Sequence, residues 1–508
     1  MSGHKLVIKD AARQLAGRII SALFGFITIK IMTPYLGPLR YGDYSTILKY
    51  FAIWTALADL GLYVLAVKRL GKIKEENKDP NNTQLKDEYG KFVGTRIFLM
   101  AIIYFIAIIV AYLLPAYTSN PYLMWGIPFG MIFSASFMFA GIQQLPLQIF
   151  WKMKYLSMSL ITARLSQLLI LVPVVFLIFK KIEFNGSNLS IVAFCAVLFS
   201  VVASGIGQNL EIHFRSKKIL PLKIIFDWKF IKNIIGRNRQ YGVSYYLSSF
   251  HTLIVLLFLG FFFPTSGGFH YAGIWALALS LIEILLIIPS SLGNSLLHKI
   301  SNYSIRDKRK SLGNLLTIIF RIGGIIAVNF RLFSDQIILI VSGKEYLGTF
   351  LSVSSRGSNQ ILPFLGFVLR QSFIKQVFNY LFVATDKQNV LLGINAIGVA
   401  IGVIIGIYTI PKYGLLGGII TQLILEFLFM SGAIIVSIRK KISPIISRKR
   451  LLSLLSFIVI FSILGYFTKN YFKINIVNFF IIASILNGLL VYFSLGNIKK
   501  VARGLTFE

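Results

Sequence analysis

The side chains able to do chemistry in this sequence are charges set inside apolar runs. Arg18, Lys30, Lys49, Asp59, Arg164, Glu283, Arg321 and Arg370 each interrupt a stretch made mostly of Leu, Ile, Val, Phe and Ala. A charge at mid-bilayer costs at least about 2.5–3.5 kcal/mol on insertion scales, so it calls for a partner or a wet cavity. The residue types suggest what they do. Arg and Lys hold phosphate groups by charge-assisted hydrogen bonds. Asp59 and Glu283, by their central positions, are candidates to take up a coupling ion, H⁺ or Na⁺. Covalent chemistry has no equivalent set. The five His residues are scattered. The lone cysteine, Cys195, excludes both an intrachain disulfide and a cysteine metal site. No catalytic residue, metal ligand set or cofactor is expected.

Helical spacing groups these charges. Gln14, Arg18, Ser21, Gly25 and Thr28 share one helix face, and Ser45, Lys49, Ala52, Ala56, Asp59 and Tyr63 share another. The two helices run in opposite directions, and Arg18 and Asp59 fall at about the same depth, roughly 6 Å from mid-helix. They can pair. Lys30 and Lys49 match in depth, but Lys30 points about 120° away from the Arg18 face, which suits snorkelling to the interface. Arg164 shares a face with Leu160, Gln167 and Leu171. Ser280, Glu283, Ile287, Ser290, Asn294 and His298 line a further face. Arg321 sits with Asn314, Thr317 and Gly324, and Arg370 is central in its helix, with Lys375 one to two turns deeper. Arg13 and Arg96 lie near helix ends and read as snorkelling, while Glu426 reads as structural. For the central charges two readings stand. Asp59 with Arg18, and Glu283 with Arg321 or Arg370, can be structural pairs. Alternatively, because central cations outnumber Asp59, Glu283 and Glu426, they create a net-positive lumen for an anionic substrate.

The elements that carry these residues are membrane spans. The chain has 508 residues, 56% of them hydrophobic, and a net charge of +34. A basic soluble nucleic-acid binder is polar throughout, and a disordered chain is poor in apolar residues; neither fits, so no nucleic-acid partner is expected. With about 20 apolar residues per span, the sequence offers about fourteen: 11–33, 44–67, 92–114, 122–146, 157–179, 189–211, 241–263, 272–297, 312–333, 361–383, 388–410, 415–437, 451–468 and 476–495. The start lacks the shape of a cleavable signal, so the first span is expected to be retained. Basic loops such as 68–91, 215–239, 299–310 and 439–450 fall on one side. The positive-inside rule puts that side, and both termini, in the cytoplasm. The expected organisation is an N-terminal six-helix bundle (1–211), a cytoplasmic linker (212–240), a C-terminal six-helix bundle (241–437) and a final helix pair with a cytoplasmic tail (438–508). Within the linker, Asp227 caps a helix whose apolar residues (Trp228, Phe230, Ile231, Ile234, Ile235) and basic ones (Lys229, Lys232, Arg237, Arg239) read as an interfacial helix on anionic lipid. An ordinary basic loop is the alternative. The opposite loops are too short to house a glycosyltransferase, polymerase or ligase site, which favours moving a substrate over reacting it.

Four motifs carry a family resemblance. Residues 337–346 form an apolar run followed by Gly343, Lys344, Glu345 and Tyr346. Residues 384–388 read Ala-Thr-Asp-Lys-Gln. Residues 410–418 read Ile-Pro-Lys-Tyr-Gly-Leu-Leu-Gly-Gly, and residues 35–44 read Tyr-Leu-Gly-Pro-Leu-Arg-Tyr-Gly-Asp-Tyr. In this order the sequence resembles the polysaccharide transporters of the MOP superfamily, the Wzx-type oligosaccharide-lipid flippases, with Asp386 standing where that family usually has Gly. The resemblance implies an all-α polytopic membrane protein with two six-helix bundles around a central cavity, related by a pseudo-twofold axis along the membrane normal. It also implies a polyprenyl-pyrophosphate-linked oligosaccharide as substrate, in a bacterial-type cytoplasmic membrane. Arg18, Lys49, Arg321 and Arg370 match the family's cationic lumen in type and depth, and Arg164 and Lys30 are further candidates. A lipid II flippase and a cation-coupled multidrug exporter of the same superfamily are the rival readings, the latter disfavoured by the Arg-rich interior.

Overall fold

Helix boundaries follow from where the backbone can turn. In the computed structural model, which describes residues 3–76, 82–150, 152–180, 182–263, 268–287, 289, 304–348, 356–385 and 387–446, every long element is an α-helix. The chain divides into two compact units, Met1–Gly273 and Ile274–Glu508.

The first unit begins with α1 (Gly3–Asp59), broken at Gly37, whose φ of 64° is accessible to glycine at little steric cost. The break turns one continuous stretch into the first two expected spans. Leu60 and Gly61, both at positive φ, separate α1 from α2 (Leu62–Glu76). Then come α3 (Thr83–Leu113), the short α4 (Pro115–Thr118), α5 (Pro121–Gln143), the short α6 (Leu145–Ile149), α7 (Met153–Pro173) and α8 (Asn188–Ser216). Side-chain caps from Asn82, Asn120 and Ser187 fix the starts of α3, α5 and α8. A π-helical turn, Val174–Ile178, follows Pro173 at the end of α7. Next are α9 (Trp228–His251), α10 (Ile254–Phe262) and the start of α11 (Gly268–Leu285), whose residues from Ile274 on belong to the second unit. Small residues bring these helices together, the usual device where lipid offers no hydrophobic drive. A side chain at Gly17 would collide with Ser157 of α7, one at Gly130 with Ile47 and Phe51, and one at Gly207 with Ser166.

The motif at residues 35–44 now has a physical reason. A methyl at Gly42 would sit 1.6 Å from the Phe269 carbonyl oxygen, and one at Gly273 would sit 1.8 Å from that of Pro38. The second half of α1 and the first turns of α11 thus cross backbone to backbone. Beside this crossing Asp43 is fully buried. It accepts from Arg40 Nη1 and Asn120 Nδ2, each at 2.8 Å, while the Arg40 guanidinium stacks 3.8 Å over Tyr122.

The linker is ordered. Residues 223–226 run against α3, where Ile225 N–H donates to Gly90 O, and a side chain at Gly94 would strike the Ile225 carbonyl. Asp227 caps α9 by accepting from Phe230 N–H at 3.0 Å, and it pairs with Lys91 at 3.0 Å. The helix it starts runs on to His251, and its residues Phe230, Ile231 and Ile234 are buried. Phe230 and Ile234 belong to a core with Leu62, Leu70, Tyr89 and Phe92. Trp228, Lys229 and Lys232 remain exposed.

The second unit holds α12 (Ile305–Ser342), α13 (Ser358–Ala384), α14 (Gln388–Tyr413) and α15 (Leu415–Arg439). Here too the motifs are turns. Gly343, at φ 89°, stops α12, and Tyr346 three residues later is fully buried. Gly414, at φ 55°, joins α14 to α15, and Gly417 is pressed so closely on Thr409 that a side chain would strike its carbonyl. The Thr409 and Thr421 hydroxyls meet there at 2.9 Å.

Among the described residues, nine helices are long and apolar enough to cross a membrane, or ten if the bent pair Asn238–His251 and Ile254–Phe262 is one span. The two expected spans at 451–468 and 476–495 lie outside the described residues, as do Ser290, Asn294 and His298.

Candidate functional site

In the first unit, α1, α3, α5 and α7 position the polar set. Arg164 of α7 donates from Nη1 to Gln167 Oε1 at 3.0 Å, a residue on the same helix face. Its guanidinium lies against Gly25 of α1, 3.6 Å from where a side chain would begin. One turn away along the same contact, the Ser21 hydroxyl donates to Leu160 O at 3.4 Å. The polar face that carries Arg18 in α1 therefore packs on the face that carries Arg164 in α7. Arg18 and Lys49 are half-buried, whereas Lys30 is exposed.

Arg96 corrects one expectation, the one that it snorkels, because it is found beside Asp59. Its Nη2, on α3, donates to Asp59 Oδ1, with the two side chains only 5% and 10% exposed. Arg96 is thus a buried ion-pair member rather than a snorkelling residue. Tyr63 stands beside the pair: its ring lies 6.0 Å from the Arg96 guanidinium and its hydroxyl donates to Gln148 Oε1. Arg18 is within electrostatic reach of that same tyrosine. Arg18, Asp59, Tyr63 and Arg96 are therefore neighbours, and Asp59 is engaged by Arg96.

In the second unit, Arg321 on α12 is 5% exposed. Arg370 on α13 is half-buried, with its guanidinium 4.3 Å above the Phe320 ring and 5.8 Å from the Phe367 ring, a cation–π arrangement. The close approach that allows this is at Gly323, where a side chain would begin 3.4 Å from the Arg370 backbone. Arg321 and Arg370 thus project from two helices in direct contact. Glu283 is half-buried near the end of α11.

Sequence reasoning placed Lys375 one to two turns deeper than Arg370 and read Glu426 as structural, but did not bring the two together. Lys375, 8% exposed, lies 4.1 Å over the Phe429 ring and within electrostatic reach of Glu426, 2% exposed. Glu426 and Phe429 stand three residues apart on α15, a one-turn spacing that was visible; their neighbour on α13 was not. Among the described residues, no group of three or more His, Cys, Asp and Glu side chains is arranged to hold a metal ion. Buried guanidinium and ammonium groups in apolar helices, with fewer carboxylates, can bind and guide an anion.

Comparison with solved structures places this arrangement. The chain has the fold of the lipid II flippase MurJ in an inward closed conformation (TM-score 0.67, 17% identity, covering 95% of this chain and 97% of that one). It is also similar to an inward-facing multidrug resistance MATE family transporter of the MOP superfamily (0.57, 14%, 85% and 98%) and to a mutant of the Vibrio cholerae MATE transporter VcmN (0.53, 14%, 86% and 96%). The protein is therefore an all-helical, multi-pass membrane protein of the MOP-superfamily fold. It belongs to the polysaccharide biosynthesis protein family, whose model matches residues 7–297, more than half of the chain. No curated protein matches the sequence.

Proposed function

We propose that the protein flips a polyprenyl-pyrophosphate-linked oligosaccharide from the inner to the outer leaflet of a bacterial-type cytoplasmic membrane by alternating access, for cell-surface polysaccharide assembly. The observation that carries this reading is the set of guanidinium groups held inside apolar helices: Arg18 and Arg164 in the first unit, Arg321 and Arg370 in the second. Each is a costly placement in a bilayer, and the costs are offset if the group meets a phosphate. Lys49 extends the first set, and exposed Lys30 is its most peripheral member. Family membership supplies the sugar-lipid context.

In the cycle, the cationic path admits the pyrophosphate and sugar while the polyprenol stays in lipid, and no bond is made or broken. Both termini face the cytoplasm, where the basic loops meet anionic lipids. With the inside negative, outward movement of an anion is favoured by about 2.3 kcal/mol per charge per 100 mV. Asp59, engaged by Arg96, and Glu283 are the candidates for a coupling H⁺ or Na⁺.

The test is flipping of defined lipid-linked oligosaccharides by the protein in liposomes. Arg18→Ala with Arg321→Ala should abolish flipping while the protein still inserts and folds; full activity in that double variant refutes the cationic path. Lipid II is the second substrate reading, supported by the fold shared with MurJ over nearly the whole chain. Rescue of a peptidoglycan-export defect separates the two.

A further inference from the structure

The pattern Lys-Lys-Ile-x-Pro occurs twice, each time where a long helix ends: at 217–221 after α8 and at 440–444 after α15. In both places the chain then runs as a non-helical strap across the start of another helix, and it is bracketed in the same way. In the first unit Ile225 N–H donates to Gly90 O of α3 at 3.1 Å, and the Ile225 carbonyl lies against Gly94, one turn on, where a side chain would begin 2.2 Å from it. In the second unit Ile445 N–H donates to Arg309 O of α12 at 3.0 Å, and the Ile445 carbonyl lies against Gly313, one turn on, where a side chain would begin 2.0 Å from it. Arg309 Nε adds a bond to Ser443 O at 2.8 Å. A residue held by both its N–H and its C=O cannot turn, so each strap keeps one side on its helix and the other side away from it.

Each bracket stands where the crossed helix changes character. At its start α3 carries Lys86, Asp87, Glu88 and Lys91, and beyond them its one charge is Arg96, buried on Asp59. At its start α12 carries Arg306, Asp307, Lys308, Arg309 and Lys310, and then no charge until Arg321, which is buried. In the first unit the strap bridges this boundary. Lys223 pairs with Asp87 at 3.3 Å on the polar side, and the Trp228 ring meets the Phe98 ring at 5.5 Å on the apolar side. The side chains left outside are large and apolar: Ile224, Phe226 and Trp228 are 50%, 63% and 65% exposed, and Ile445 is 41% exposed. Exposed lysines accompany them in the chain, Lys217, Lys218, Lys229 and Lys232 in the first unit and Lys440 and Lys441 in the second. The apolar side of α9 is not available for such a contact, because Phe230, Ile231 and Ile234 are buried in the protein.

Exposed apolar side chains and lysines at the polar-to-apolar boundary of a spanning helix fit one environment, the head-group layer of an anionic leaflet. We propose that the two straps are lipid-surface anchors. Ile224, Phe226 and Trp228 in the first unit, and Ile445 in the second, enter the boundary between head groups and acyl chains, while the exposed lysines meet lipid phosphates. The inference rests on the reading that this side of the protein meets anionic lipid, and not on what the protein transports.

The test uses the full-length protein with Cys195→Ser, in liposomes of phosphatidylcholine and phosphatidylglycerol, carrying one nitroxide-labelled cysteine at a time. Ile224→Cys, Phe226→Cys and Ile445→Cys report the straps. Lys72→Cys, at a side chain 77% exposed near the end of α2, is the water reference, and Phe105→Cys, at a residue 68% exposed in the apolar run of α3, is the acyl-chain reference. Collision of the label with oxygen, relative to collision with a water-soluble nickel complex, should put all three strap positions between the two references. A strap label that matches Lys72 lies in water, and one shielded from both reagents is covered by protein, a second copy included; either result overturns the anchor for that strap. The charge requirement is read at Trp228, as the fluorescence that Trp228→Phe removes, with brominated phosphatidylglycerol or brominated phosphatidylcholine as quencher. Phosphatidylglycerol should quench at about fivefold lower mole fraction, the bias that one lysine gives near an anionic surface, and Lys229→Gln with Lys232→Gln should remove the difference. Equal quenching by the two lipids in the wild type, or a preference unchanged in the lysine variant, overturns the inference. The strap and lysine side chains replaced are exposed, so these variants keep the fold. Neither readout involves flipping, so failure of the transport reading leaves both outcomes unchanged.

Discussion

The Asp59–Arg96 pair gives the sharpest prediction, because its burial fixes the sign and the size. Both side chains are at most one-tenth exposed, and Arg96 Nε and Nη1 have no hydrogen-bond partner beyond the pair. Removing one member leaves the other charged and desolvated, and breaking such a pair typically costs about 3–5 kcal/mol. Asp59→Leu alone, and Arg96→Met alone, should each destabilise the first unit by about that amount. The double variant removes both charges and replaces them with apolar groups, a change that for buried pairs is often neutral or stabilising by about 1–4 kcal/mol. The three variants therefore form a double-mutant cycle with a coupling of several kcal/mol. At roughly 2 °C per kcal/mol, each single variant should melt about 6–10 °C below the wild type in detergent, and the double variant close to it. Melting temperatures that add, so that the double variant falls by the sum of the singles within about 0.5 kcal/mol, would show that the residues do not depend on each other. The cycle also bears on transport. If the pair is structural, flipping in the double variant follows its recovered stability. If Asp59 must release and rebind a proton, the double variant is stable and inactive.

Three further outcomes follow from particular contacts. Gly42→Ala should lower expression and thermal stability strongly, because its methyl would meet backbone rather than a movable side chain, beyond the roughly 1–3 kcal/mol usual for overpacking; Gly71→Ala, with nothing within 4 Å, should be neutral or stabilise by up to about 1 kcal/mol. The Asp227 carboxylate is held below its ordinary range, first by the Phe230 N–H and then by Lys91. Its contribution is therefore complete above the unfolded value of about 4 and is lost as pH falls through the lower folded value, so amide exchange at the start of α9 should rise below that pH; Asp227→Asn should flatten this dependence. Glu283→Gln should abolish the pH or Na⁺ dependence of flipping if Glu283 couples an ion, and unchanged dependence removes it from the mechanism.

The sequence alone determined the class of the protein and most of its helical elements. Apolar runs, caps and glycines act over a few residues, so the turns at Gly37, Gly343 and Gly414 were visible as motifs and stand in the structure as helix breaks at positive φ. Helical spacing likewise put Arg164 and Gln167 on one face, where they are hydrogen-bonded. What spacing could not supply is the identity of the neighbouring helix. Depth and face left Arg18 as good a partner for Asp59 as any. Packing of α3 beside α1 brought Arg96 to Asp59 as well, and packing of α13 against α15 brought Lys375 to Glu426. Residues far apart in sequence become neighbours where small side chains let their helices approach, as Gly17 does beside Ser157 and Gly207 beside Ser166. Helical periodicity orients a charge about its own axis; which partner it meets is decided by the tertiary packing.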